Sequence, residues 1–237
     1  DAIVDEVRAE GRTARLFECG IGTGRIAAPV AARGVRVAGT DIAPKMLERL
    51  RAKRGDIDVA LAEAASPPFR ASSFDGAVFF HILHLVPDRV ATVRATMSLV
   101  RRGGAVMLCN DRHVPGSLGE RVDEVMERIM REETTGVKGG RDLGEEVEAD
   151  FLRAVTEAGA RIERRIVAMY PEPSSGQRII DALVNREHSG AWVHTDAEIA
   201  TMARRASAEL PPLLGSLDAP FDFEHELELV TAHIPAQ

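Results

Sequence analysis

The chain has 237 residues, 45% apolar and 28% charged, which is ample for a real core and ordinary for a globular protein. Aromatics make up only 4%, so the core is mostly aliphatic, and a net charge of −7 argues against a strongly basic nucleic-acid groove. No run approaches the roughly 18 apolar residues of a membrane helix, and the start shows no signal-peptide pattern.

Residues 1–10 read as the tail of a helix, with Ile3, Val4 and Val7 on one face; a start at Asp1 points to sequence upstream. A short strand over 15–19 runs into a glycine cluster, and an Ala-rich helix over 26–33 closes at Gly34. A second strand over 35–40 meets Asp41. Pro44 suits the first turn of a helix whose apolar stripe is Met46, Leu47 and Leu50. A third strand covers 59–62 and a strongly apolar fourth covers 74–80. A helix over 90–100, a turn at Gly103 and Gly104, and a fifth strand over 105–110 follow. This β-α-β-α rhythm predicts a parallel sheet with helices on both faces.

Beyond residue 110 the character changes. Residues 1–110 carry 16 basic and 12 acidic side chains; residues 111–237 carry 14 and 25. Helices are expected over 118–133, 151–158, 177–187 and 196–210. A Gly-rich joint (Gly136, Gly139, Gly140) and an acidic approach precede the second of these, and Trp192 lies between the last two. Strands are expected over 161–170 and 223–233, the latter alternating at Phe223, His225, Leu227 and Leu229. Two cysteines, Cys19 and Cys109, are too few for a disulfide scaffold and point to a reducing, cytoplasmic setting.

The chemistry concentrates in Glu18-Cys19-Gly20-Ile21-Gly22-Thr23-Gly24. Glycines alternating between a strand and a helix let the backbone pass close to a ligand. Position 25 is Arg, so the pattern is GxGxG rather than the GxGxxG of dinucleotide folds. Glu18, two residues before the first glycine, disfavours a pyrophosphate and suits a cationic ligand. Asp41, ending the second strand, is placed to accept two ribose hydroxyls in a fork. Taken singly, these features also fit a plain strand-to-helix turn and a helix N-terminal acid.

Residues 15–110 resemble a class I S-adenosylmethionine-dependent methyltransferase, in the branch of ubiquinone/menaquinone-type C-methyltransferases and other small-molecule enzymes. The resemblance rests on Glu18-x-Gly20-x-Gly22-x-Gly24, on Thr40 through Leu47, and on Pro68-Phe69 followed by Ser73-Phe74-Asp75. His81-Ile82-Leu83-His84 and Arg102-Gly103-Gly104 complete it. It implies an α/β, Rossmann-like seven-stranded sheet of order 3-2-1-4-5-7-6, the last strand antiparallel, with helices on both faces and helical insertions. Cys19 and Cys109 then stand two strands apart, roughly 10 Å, too far for a disulfide.

The resemblance further implies S-adenosylmethionine as cofactor and S-adenosylhomocysteine as product. Glu18 would sit near the methionyl ammonium or its water, with Cys19, Gly20 and Gly22 beside the methionine moiety. Asp41 would hold the ribose, with Ile42 and Met46 against the adenine. Glu63 would accept from the adenine amino group and the Ala64 amide would donate to the ring. Phe80 and His81 would line the methyl end. Three positions depart from the common pattern: Ala43 replaces a capping Ser, Glu63 replaces Asp, and Ile21 stands where Cys or Val is frequent. Ser66-Pro67-Pro68-Phe69 looks like the signature of DNA and protein amino-methyltransferases, but it precedes the fourth strand instead of following it.

Methyl transfer from a sulfonium is an in-line displacement; the protein supplies position and sometimes a base. His81 and His84 are candidate proton acceptors, or else packing and capping groups. Asn110, Asp111 and His113 follow the fifth strand, as substrate contacts or as a loop turn. Tyr170 and Trp192 are candidates to line an acceptor pocket; Trp192 also reads as a core anchor for a peripheral helix. The seven histidines and two cysteines show no metal-ligand spacing, so no metal is expected.

The expectation is one domain over 1–237, with a cofactor half (11–110) and an acceptor half (111–237). Insertions around 116–150 and 171–215 would shape a pocket for a small-molecule acceptor, with no nucleic-acid or membrane partner. An NAD-dependent oxidoreductase is disfavoured by Glu18, Arg25 and the loop over 69–75. A cofactor-binding module without turnover stays open, because no obligatory catalytic residue is evident.

Overall fold

The computed structural model describes residues 1–7, 11–134 and 140–236. The expected helix end at 8–10, and Gly136 and Gly139 of the expected joint, lie outside the described residues. The strands are β1 (Arg15–Cys19), β2 (Arg36–Asp41), β3 (Asp58–Leu61), β4 (Phe74–Phe80), β5 (Val100–His113), β6 (Arg161–Ser175) and β7 (Pro220–His233). The helices are α1 (Ala2–Glu6), α2 (Ala27–Ala31), α3 (Pro44–Lys53), α4 (Arg89–Leu99), α5 (Leu118–Glu133), α6 (Gly140–Glu157), α7 (Gly176–Val184), α8 (Asp196–Glu209) and α9 (Pro211–Leu214).

The strands form one sheet of order β3-β2-β1-β4-β5-β7-β6. It is parallel from β3 to β5, and β7 runs antiparallel to both neighbours. The order is the one the resemblance implies. β1 and β4 are apolar almost throughout because the sheet buries both their faces. β6 is the opposite case. It is an edge strand with much of its length exposed, which is why Pro171 and Pro173 do not stop it at residue 170 as expected.

Two further expectations are corrected. Gly103 and Gly104 do not turn the chain between helix and strand. They form an irregularity inside β5, where pairing with β4 slips from Phe74↔Val100 to Gly76↔Ala105. The acidic approach before residue 151 is itself helical, as part of α6. Within it Glu146 pairs with Arg89 and Glu148 with Arg164. Val147, Phe151, Ala154 and Val155 form its buried stripe.

The described chain divides into two compact units. The first comprises residues 1–110, 145–167 and 228–237. Its core gathers Phe17, Phe74, Phe79, Val106, Leu108, Phe151 and Val155. Phe69 joins Phe17 and Phe74 in a trio with ring centroids 5.6 Å apart, so the Ser66–Phe69 segment ends in the core. Cys19 and Cys109 are buried and free. The second unit comprises residues 111–144 and 168–227. It packs Val122, Met126 and Ile129 of α5 with Ile180 and Leu183 of α7 and Met202 and Ala206 of α8. Thr195 and Glu198 cap α8 reciprocally.

One polar lock inside the first unit was not legible beforehand. Asp75, 2% exposed, is the second residue of β4. It accepts from Arg12 in a bidentate fork, from Arg101 Nε, and from the Arg15 amide at 2.8 Å. Burial pushes the carboxyl up, yet the two guanidiniums and the amide outweigh it and hold the pKa at about 2. Its contribution is therefore present above the unfolded value of 3.8 and is lost as pH falls toward 2. Asp75→Ala is expected to lower stability by about 2–3 kcal/mol at pH 7, less than a fully buried pair would lose, since both arginines are half-exposed. Urea unfolding at pH 7 and pH 3 checks this: the deficit shrinks at the lower pH.

Candidate cofactor site

The sheet's register assembles the site. Cys19 is level with Thr40 of β2 and Phe79 of β4, and Asp41 is level with Leu61 of β3. The residues that follow β1, β2, β3 and β4 therefore emerge along one carboxyl edge: Gly20, Ile42, Ala62 and His81. This edge includes the point where strand order reverses between β1 and β4, the usual ligand crevice of an open α/β sheet.

Gly20, Gly22 and Gly24 all have positive φ, so the loop needs glycine for its path. At Gly20 a Cβ would also fall 2.5 Å from Ile82 Cγ1, and at Gly24 one would fall 2.4 Å from Leu50 Cδ1. Gly22 differs, because its nearest neighbours stand 4.0 Å away. Two more residues shape the loop without having been singled out. Gly39 lies opposite Glu18, where a Cβ would come 2.5 Å from the Glu18 carbonyl oxygen and press on Ile21. Ile21 is buried, and its amide donates to the Thr40 carbonyl at 2.9 Å.

Asp41 ties three loops together. Its Oδ2 accepts from the Gly22 amide at 2.8 Å and its Oδ1 from the Ala43 amide at 2.8 Å. Its carbonyl accepts from the Ala62 amide at 3.1 Å. Two of the four lone-pair positions of the carboxylate are thereby used, leaving acceptor capacity for hydroxyls. The Ala43 bond fixes the residue that precedes α3, while the helix itself starts with no side-chain cap. Beside Asp41, Ile42 is 68% and Met46 39% exposed. An apolar pair left open next to a half-buried carboxylate suits a flat, partly apolar ring. Glu63 is exposed and Ala64 half-buried, just beyond β3.

Glu18 is 4% exposed, and its Oε2 has no hydrogen-bond partner among the described residues. Burial pushes its pKa from 4.5 to about 8, against the opposing pull of the Ala27 amide and Arg25. Cys19 points its side chain into the core, where burial holds its thiol at about 12; only its backbone borders the loop.

Phe80 ends β4, with the Arg25 guanidinium over its ring at 4.7 Å and the His81 ring edge-on at 4.4 Å. His81 has a φ of +50°, an uncommon conformation for a non-glycine residue. His84 lies in a short 3-10 turn, Leu83–Leu85, half-buried. Burial, with help from His81 and Arg89, lowers its pKa, so it is neutral at physiological pH.

The remaining predicted residues are distributed between the units. In the first, Asn110 donates to Glu148 Oε2 at 2.7 Å. In the second, the Tyr170 hydroxyl donates to Asp111 Oδ2 at 2.6 Å, and Tyr170 stacks on His225. His113 packs against Phe223 and His225. Asp111, His113 and Tyr170 thus meet around His225, which the sequence marked only as part of an alternating strand. Trp192 is 63% exposed, with its Nε1 donating to the Arg186 carbonyl at 3.0 Å. The core-anchor reading of Trp192 is therefore wrong.

A family model described as a methyltransferase domain matches residues 17–108, the stretch that holds the loop, Asp41 and the β4 end. The chain carries a methyltransferase domain. The 27-O-demethylrifamycin SV methyltransferase of Amycolatopsis mediterranei is 33% identical over 168 residues, covering 68% of this chain and 59% of that protein. A ubiquinone biosynthesis O-methyltransferase of Xanthomonas axonopodis pv. citri is 29% identical over 117 residues, covering 46% and 48%. The chain thus spans 48% to 59% of the length of these curated relatives. A phosphoethanolamine N-methyltransferase structure from Haemonchus contortus, solved with phosphomonomethylethanolamine and S-adenosylhomocysteine, aligns at TM-score 0.51 and 17% identity. It covers 99% of this chain and 52% of that one. This likeness establishes that the methyltransferase domain sits in a shared fold.

Proposed function

We propose that this methyltransferase domain binds S-adenosylmethionine at the β1–β4 edge and transfers its methyl group to a hydroxyl of a small molecule. The observation that carries the reading is the Asp41 node: one carboxylate fixes the glycine loop and the start of α3 and keeps acceptor capacity beside exposed Ile42 and Met46. That combination suits a ribose carrying an aromatic base. Glu18 and the glycine loop favour a cationic amino-acid end over a pyrophosphate. The cofactor supplies the electrophilic methyl; Glu18, Asp41, Ile42, Met46, Glu63 and Ala64 would hold and orient it. Phe80 and His81 would line the methyl end.

The choice of oxygen as acceptor atom rests on the two relatives, both named for O-methylation. His84, neutral at physiological pH, is the proposed proton acceptor from the hydroxyl. Incubation with methyl-labelled S-adenosylmethionine and a panel of phenols, alcohols, amines and acidic carbon acids tests the reading. Label is expected in a methyl ether formed from a hydroxyl-bearing acceptor, with His84→Gln lowering kcat more than it raises KM. Transfer to amines alone would contradict the choice of oxygen, and cofactor binding with no transfer to any class would favour a binding module.

A further inference from the structure

Glu18 combines burial, an unpartnered oxygen and a place at the mouth of the glycine loop. The groups that act on it come from several elements. Arg25, between the loop and α2, favours its ionised form; Asp41 of β2 opposes it. The thiols of Cys19 on β1 and Cys109 on β5 stay neutral, each held at about 12 by burial. Arg25 is exposed and engaged with Phe80, so solvent weakens its pull. Burial therefore wins, and Glu18 keeps its proton to about pH 8.

A neutral carboxyl gains little from a nearby ammonium, whereas a carboxylate gains much. We propose that Glu18, buried and with its Oε2 unpartnered just before the glycine loop, releases a proton as it pairs with the cofactor's ammonium, so that cofactor affinity is linked to pH. The inference rests on the cofactor reading above. The O–H bond of the Glu18 carboxyl breaks, its electron pair stays on oxygen, and the proton passes to water. The cofactor's ammonium arrives already charged, since an α-amino group is mostly protonated at pH 7.

Calorimetry with S-adenosylhomocysteine at pH 7, in two buffers of different ionisation enthalpy, reads the number of protons released. The wild type is expected to release about 0.9 proton per cofactor bound, and its affinity to rise nearly tenfold from pH 6 to pH 7. Glu18→Gln is expected to release none and to bind with an affinity that stays flat over that range. The ¹³C shift of the Glu18 carboxyl supplies a readout free of any substitution. It should titrate near pH 8 in the empty protein and report the ionised form at pH 7 once S-adenosylhomocysteine is added. Binding without proton release, or a carboxyl already ionised at pH 7 in the empty protein, overturns the linkage and leaves the cofactor reading standing. No binding at all overturns the cofactor reading, and the linkage with it.

Discussion

Glu18→Gln stabilises the empty protein at pH 8 by about 2–4 kcal/mol. Moving a carboxyl pKa from 4.5 to about 8 corresponds to a penalty of roughly 5 kcal/mol on the folded state at high pH. Glutamine removes that penalty but leaves an amide beside the same apolar walls, which costs about 1–3 kcal/mol. The sign follows from linkage. Below pH 4.5 the acid is neutral in both states and the penalty vanishes. Between 4.5 and about 8 the unfolded chain ionises first, so wild-type stability falls as pH rises; above 8 the deficit is constant. Urea unfolding at pH 5 and pH 8 should show the variant equal to or somewhat less stable than wild type at the first and clearly more stable at the second. An equal difference at both values would mean that Glu18 is not ionising in this range. A residue kept at such a cost to stability is understandable if its charge is needed only when a ligand arrives.

Asp41→Ala weakens S-adenosylhomocysteine binding at least about 100-fold, a loss of roughly 2.7 kcal/mol. Three effects add. The Gly22 and Ala43 amides lose their charged acceptor, each such bond being worth about 1.5–3 kcal/mol. The loops after β1 and β2 then lose the node that sets their spacing. The proposed ribose contact disappears as well. Stability should fall less, by about 1–2 kcal/mol, because water at this half-buried edge can replace the lost acceptor for the amides. Calorimetry and thermal unfolding run in parallel separate the two consequences. Affinity within threefold of wild type, with the fold intact, would remove Asp41 from the binding account.

β1, β2, β4 and β5 were readable because strands buried on both faces appear as short apolar runs between breakers; β3, at the sheet's edge with no buried residue, was readable only from its short apolar run. The acidic start of α6 was not readable, because Gly140 and Gly144 interrupt the pattern while the deciding contacts belong to Val147 and Phe151 in the core. Trp192 misled for a simpler reason: size and apolarity favour burial on average, but here the indole is held at the surface by its N–H bond to Arg186.

The site divided in the same way. The glycine loop, Asp41 and the end of β4 carry motif spacing, so they were visible. Gly39 was silent, since its reason is a close approach to the backbone of a neighbouring strand. Asp75 stood in the sequence only as one letter of a motif. Its partners Arg12 and Arg101 lie 63 and 26 residues away, beyond any local pattern. The isolation of Glu18 Oε2 is a property of the packed state and has no counterpart in a string of residues.

The central claim is that the β1–β4 edge is built for S-adenosylmethionine rather than for a dinucleotide. Isothermal titration of the wild-type chain with S-adenosylhomocysteine and, separately, with NADH tests it most directly. The account predicts saturable binding of S-adenosylhomocysteine that Asp41→Ala weakens at least about 100-fold, and no heat from NADH. Saturable binding of NADH with S-adenosylhomocysteine silent would contradict it.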